Sequence, residues 1–188
     1  MNLLSRAARR LAPVVVLAVL APAAHAAPVR RHVAAPAVAS TAIIPLPLNP
    51  IVPAAQRVCS AKTATGLGAT VLRAGQGAAP AESDYVLVNY VGYLAATGAV
   101  FDQGMQASFP VNGVIPGFSQ GLQTLAKGGI ARFCIPAALG YGAQGQGPIP
   151  ANADLVFQVE LVDFKTAAEI DALRKAQAAS QSAPAAPQ

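Results

Sequence analysis

The feature that most constrains this chain is the run Val111 to Ala126 (VNGVIPGFSQGLQTLA), in which the hydrophobic period changes halfway. Val111 closes a strand-like stretch and Asn112-Gly113 signals a turn. Val114-Ile115 then enters a helix whose first turn is set by Pro116, because proline's fixed φ and missing N–H suit the first helical position. Phe118, Leu122 and Leu125 follow at i, i+4 and i+7, so one stripe is apolar while Ser119, Gln120, Gln123 and Thr124 take the other side. So short a helix is marginal alone and must lie on a broad hydrophobic surface.

The flanking residues supply that surface as strands. Thr65 to Leu72 reads as a first strand, Arg73 to Ser83 as a Gly/Pro/Ala loop, and Tyr85 to Leu94 (YVLVNYVGYL) as a strand rich in β-branched and aromatic residues. Val100-Phe101-Asp102, a Gly-Met loop and Ser108 to Val111 follow. Ile130 to Ile135 returns as a strand with Ala131, Phe133 and Ile135 on one face. Leu139 to Pro150 is a long Gly/Pro loop around Tyr141. In the last strand Leu155, Phe157, Val159 and Leu161 alternate with Val156, Gln158, Glu160 and Val162, which predicts one buried face and one mostly solvated face. Links of hairpin length favour an antiparallel sheet, so the fold class is α+β, with the one short helix covering the apolar face of the sheet.

The ends read differently. Arg6, Arg9 and Arg10 precede an apolar core of about 10 to 12 residues, short of the roughly 20 that span a bilayer. Ala24-His25-Ala26 then offers a cleavage site, so residues 1–26 are expected to be a secretory signal. The absence of a cysteine close behind that site argues against a lipid anchor, and the mature chain is expected in the periplasm or secreted. Residues 27–60, rich in Pro and Ala, are expected to be an extended linker, with docking of Thr41 to Val52 (TAIIPLPLNPIV) as the alternative. The folded domain is placed at 61–165. Thr166 to Ala179 reads as a helix, with Thr166 as cap and Glu169 three residues on, and Ser180 to Gln188 as a disordered tail.

Charge narrows the partners. The formal net charge of +5 falls to about +2 without the three leading arginines, and residues 61–165 hold five basic side chains against six acidic ones, so a nucleic-acid footprint is not expected. Cys59 and Cys134 are the two cysteines, and an oxidising compartment favours a disulfide between them; the alternative is a half-buried free Cys134 and an unpaired Cys59 in the linker.

Much catalytic chemistry is missing from the expected domain. His25 and His32 both precede it, so a Ser-His-Asp or Cys-His unit has no base, and no cluster has metal-ligand spacing. No cofactor is implied. What remains is a set of apolar and aromatic side chains near element ends, together with Tyr141 and Ile149 on a Gly-rich loop where core packing is not expected, and Asp102 directly after Phe101.

Val88-Asn89-Tyr90-Val91-Gly92, Phe101-Asp102, Val114-Ile115-Pro116-Gly117-Phe118, Gly140-Tyr141-Gly142 and Ile149-Pro150 followed by Leu155-Val156-Phe157 resemble, in order and spacing, the FKBP-type peptidyl-prolyl cis-trans isomerases of the exported bacterial kind. The resemblance implies a twisted antiparallel half-barrel sheet wrapped on a short helix. It also implies a proline pocket walled by Tyr90, Phe101, Phe109, Val114, Ile115 and Phe157 and floored by Phe118. Tyr141 would donate to a substrate carbonyl, Asp102 and Ile149 would border the rim, and Tyr141, Asp102 and Phe101 would be the catalytic residues. Two departures stand out: Phe118 replaces the tryptophan of many members, and Gln103 to Ser108 lacks the arginine that often partners the aspartate.

The implied activity is acceleration of X-Pro rotation in unfolded or partly folded proline-containing proteins. Macrolide inhibitors of the FKBP type would be ligands, and the protein is expected to be a monomer. The alternative is a chaperone module that captures proline-containing segments with little catalysis.

Overall fold

The computed structural model describes residues 38–45 and 51–182. The expected signal, the first part of the expected linker and the last six residues lie outside them. Six strands, β1 (Ala61–Lys62), β2 (Gly68–Arg73), β3 (Tyr85–Leu94), β4 (Val100–Pro110), β5 (Ile130–Ile135) and β6 (Leu155–Lys165), form one open antiparallel sheet in the order β1-β2-β5-β6-β3-β4. The short helix α1 (Pro116–Leu122) packs on it, and α2 (Ala167–Ser182) follows the last strand. Among the described residues no helix is long and apolar enough to cross a membrane.

Helix α1 starts at the predicted proline but stops before Leu125. The hydroxyl of Thr124 donates to the Gly121 carbonyl at 2.7 Å, and the Thr124 and Leu125 amides bond back only three residues. The tightened turn still delivers Leu125 to the core, beside Phe118 and Leu122. On the sheet side the helix comes unusually close: a Cβ on Gly121 would lie 2.8 Å from the Phe133 ring. Phe118, Leu122, Phe133, Ile135, Phe157 and Val159 thus meet in one core, where full burial of each large side chain contributes roughly 1.5–3 kcal/mol.

Several strand expectations are corrected. The first strand begins at Gly68 rather than Thr65, because residues 63–67 form a turn closed by Thr63 N–H to Leu67 O at 2.8 Å, with Gly66 at φ +90°, and β1 pairs on its far side. The expected Gly-Met loop is instead part of a continuous β4. Its ladder to β3 is irregular near Gly104, and Gln106, at φ 51°, gives its N–H to the Asn89 side chain at 2.8 Å. Asn89 thus takes the place of a ladder partner at a bulge.

The largest correction concerns the second face of the sheet. Val156 and Gln158, expected to be largely solvated, are buried, as is Arg132 on β5, at 0 % exposure. Residues 38–45 and 51–58, expected to be a free linker, lie on that face. Ile44 and Val52 pack with Val91, Tyr93 and Val156 in a second core cluster. The Arg132 guanidinium donates to the carbonyls of Ser40 (2.7 Å), Ala42 (3.3 Å) and Val58 (3.4 Å). Cys59 and Cys134 are joined in a disulfide that closes a loop of 75 residues, and for such a loop the chain-entropy contribution is about 4 kcal/mol. Helix α2 runs to Ser182, past the expected end at Ala179, and is capped as predicted: the Glu169 N–H donates to the Thr166 hydroxyl at 3.2 Å while the Glu169 carboxylate accepts from Thr166.

Tyr93 gives this arrangement a measurable signature. Its hydroxyl donates to the Gln56 carbonyl at 2.5 Å, and burial raises its pKa from 10 to about 12, against the opposing pull of Arg132 and Arg57. A folded-state pKa above the unfolded one means that this contribution is complete below pH 10 and is lost as pH rises from 10 to 12. Urea unfolding at pH 9 and pH 11.5 is therefore expected to show a smaller alkaline loss of stability in Tyr93→Phe than in the parent; equal losses would contradict this account.

Candidate active site

Three neighbouring strands and the helix build the site. On β6, Phe157 faces the helix because its neighbours Val156 and Gln158 face the other way. Its register partner on β3 is Gly92, which in turn pairs with Asp102 on β4. Gly92 is what lets the aromatic rings meet: a Cβ there would sit 2.6 Å from Phe157 and 2.9 Å from Phe101. Tyr90 lies two residues earlier on β3, on the same face. Phe109 comes from the end of β4, and the turn Val111–Gly113 carries the chain to Val114 and Ile115 at the mouth of α1.

These residues enclose a cavity of about 400 Å³, lined by Tyr90, Phe101, Asp102, Phe109, Gly113, Val114, Ile115, Phe118, Tyr141 and Phe157. The Phe157 ring centroid lies 4.8 Å from that of Phe118, 5.5 Å from Phe101 and 6.3 Å from Tyr90. Edge-on and tilted packing of this kind fixes ring orientation as well as burying area. Phe118 and Phe157 are buried, and Tyr90, Phe101, Phe109 and Tyr141 are half-buried.

The polar side chains of the lining are Tyr90, Asp102 and Tyr141. Tyr90 donates its hydroxyl to Asp102 Oδ2 at 2.8 Å. Burial raises the Tyr90 pKa, and the hydrogen bond to Asp102 and the negative charge of that carboxylate raise it further, so Tyr90 remains a protonated donor. The tyrosine thus supplies the partner for Asp102 that the sequence lacked in an arginine. Tyr141 is carried by a loop tied at three points: Gly142 N–H to Ala137 O at 2.9 Å, Asn152 N–H to Gly142 O at 2.8 Å, and Ala137 N–H to Asp154 Oδ1 at 2.9 Å.

Of the residues expected at the site, Ile149 alone does not line the cavity. It is 7 % exposed and packs into the main core, with its backbone paired to Gln146 at 2.9 Å in both directions. The loop's own tight turn draws that side chain inward. Sequence reasoning missed Gly92 and Gly113 as site residues, although a glycine inside an otherwise bulky strand is a sign of close approach. Gly92→Ala is expected to push Phe157 and Phe101 apart and to cost about 1–3 kcal/mol, as in overpacked cores, read from the urea midpoint. An unchanged midpoint would show that the rings have slack.

A family model described as FKBP-type peptidyl-prolyl cis-trans isomerase matches residues 76–162. The FKBP-type peptidyl-prolyl cis-trans isomerase FkpA of Escherichia coli K12 is 46% identical over 120 residues, covering 62% of this chain and 44% of the relative. A crystal structure of FkpA from Escherichia coli aligns with TM-score 0.55 at 46% identity, over 57% of this chain and 52% of that chain. This chain therefore spans only about half the length of those relatives. A crystal structure of a peptidyl-prolyl cis-trans isomerase from Pseudomonas syringae aligns with TM-score 0.54 at 36% identity, over 56% of this chain and 80% of that chain. Because that isomerase is covered over most of its length at this identity, the chain belongs to the FKBP-type peptidyl-prolyl cis-trans isomerase family.

Proposed function

We propose that the protein is a peptidyl-prolyl cis-trans isomerase that accelerates X-Pro rotation in unfolded or partly folded exported proteins and so assists their folding. The observation that supports this most is the cavity itself, with aromatic walls and with Asp102 and the Tyr90 and Tyr141 hydroxyls as its polar side-chain groups. A proline ring suits such walls, and the rotation breaks no covalent bond. The barrier of about 18–20 kcal/mol comes from amide resonance. A planar amide is more polar than a twisted one, so a site that replaces water with phenyl rings disfavours the planar form relative to the transition state.

In this reading Phe157 and Phe118 receive the ring, while Tyr90, Phe109, Val114 and Ile115 complete the wall. Tyr141 donates to the substrate carbonyl next to the rotating bond, and Phe101 and Asp102 border the twisting imide. Donors held in place before the bond turns favour the transition state without reorganisation. Macrolides of the FKBP type would fill the same hollow. The leading 26 residues would direct export to the periplasm or medium, and the mature chain would act as a monomer without a cofactor.

The test is turnover of a proline-containing tetrapeptide by the full mature chain, compared with a Phe101→Ala/Tyr141→Phe double variant. The variant is expected to lose at least about tenfold in kcat/KM, equivalent to roughly 1.4 kcal/mol of transition-state stabilisation, while keeping the parent's circular dichroism and a cooperative urea transition. Comparable turnover in the two proteins would overturn the assignment.

A further inference from the structure

The sheet face opposite the cavity carries an arrangement that isomerisation does not explain. Residues 38–45 (VASTAIIP) lie across β5 and β6 there, and two adjacent side chains read their backbone. Arg132 and Gln158 are register partners. The Gln158 amide accepts from Ile44 N–H at 2.8 Å and donates to Ile44 C=O at 2.8 Å, both bonds buried. One side-chain amide thus engages both main-chain groups of a single residue, as a neighbouring strand would. Arg132 collects the carbonyls of Ser40 and Ala42 at 2.7 and 3.3 Å, and its fully buried guanidinium has no carboxylate partner among the described residues. Between these anchors the Ile44 side chain, 3 % exposed, is packed among Val52, Val91, Tyr93 and Val156.

Each of these contacts is indifferent to covalent connection. The polar ones are made to main-chain atoms, which any extended peptide offers, and the selective one is a hole for a single branched aliphatic side chain, that of Ile44. A vacant face would leave a buried cation short of two of its carbonyl acceptors and a buried amide with neither partner, so the face is built to be occupied. We propose that this face is a second peptide-binding site, separate from the aromatic cavity, for extended segments carrying a branched aliphatic side chain, and that residues 38–45 are its resident ligand.

The test uses the full mature chain with a specific protease site inserted between Pro45 and Ile51. After cleavage, the fragment ending at Pro45 is expected to co-elute with the domain on size exclusion at tens of micromolar. A synthetic peptide of residues 38–45 should displace it in a concentration-dependent way, whereas the same peptide carrying Ile44→Asp should be at least tenfold weaker. Because that change is in the peptide, the domain's own folding is untouched, and because the readout is retention and not turnover, the result is independent of the isomerase assignment. Separation of the fragment from a domain that keeps its circular dichroism would overturn the proposal, as would equal displacement by both peptides. Unfolding of the domain on cleavage would also overturn it, since the segment would then be part of the fold and not a ligand.

Discussion

The contact between Phe118 and Phe157, with ring centroids 4.8 Å apart, is the interaction around which the molecule is arranged. It requires a helix lying close enough to the sheet for one ring from each to touch while leaving open space on the far side of both. Glycine makes that approach possible from both directions. Gly121 brings the helix down onto Phe133, and Gly92 leaves room between β4 and β6 for Phe101 and Phe157. With ordinary side chains at these positions the layers would stand further apart and the rings would belong to a filled core. The cavity is therefore a consequence of local thinness in the sheet and helix, not of a missing side chain.

The opposite face obeys a different constraint. A six-stranded open sheet with apolar residues on both sides of its central strands must be covered twice, and among the described residues α1 is the one helix that packs on it. Residues 38–45 and 51–58 provide the second cover. They contain no regular element apart from a short helical turn at Ala54–Gln56, and beyond that turn and the bond from Ser40 N–H to Ala55 O, Arg132, Gln158 and Tyr93 meet their polar groups from the sheet side, while the disulfide at Cys59 fixes the end of the cover to β5. The polar side chains within the central strands are the means by which an irregular segment can be buried.

This explains which parts of the structure were legible in the sequence. Tyr85 to Leu94 and Ile130 to Ile135 were read with their observed bounds, because β-branched and aromatic density marks a central strand whatever covers it. The pocket residues were read from motif order, and all but Ile149 line the cavity. Ile149 departs from this because a Gly-rich loop predicts an outward side chain, whereas the Gln146–Ile149 turn folds this one into the core. The second face failed for a deeper reason. Alternation of Val156, Gln158 and Glu160 looks the same for a solvated face as for one whose amide is hydrogen-bonded to a distant backbone, and the partner, Ile44, lies 114 residues away in a proline-rich stretch. Composition classed that stretch as a linker, and only tertiary context distinguishes a linker from a cover.

The most direct measurement of the central claim is exchange NMR on a proline-containing peptide mixed with a catalytic amount of the full mature chain, combined with nuclear Overhauser contacts in the bound state. The account predicts cis-trans exchange accelerated over the free peptide, contacts from the proline ring protons to the rings of Phe118 and Phe157, and loss of both when a pocket-filling macrolide is added. Accelerated exchange that persists with the macrolide bound, or proline contacts that fall elsewhere on the protein, would contradict it.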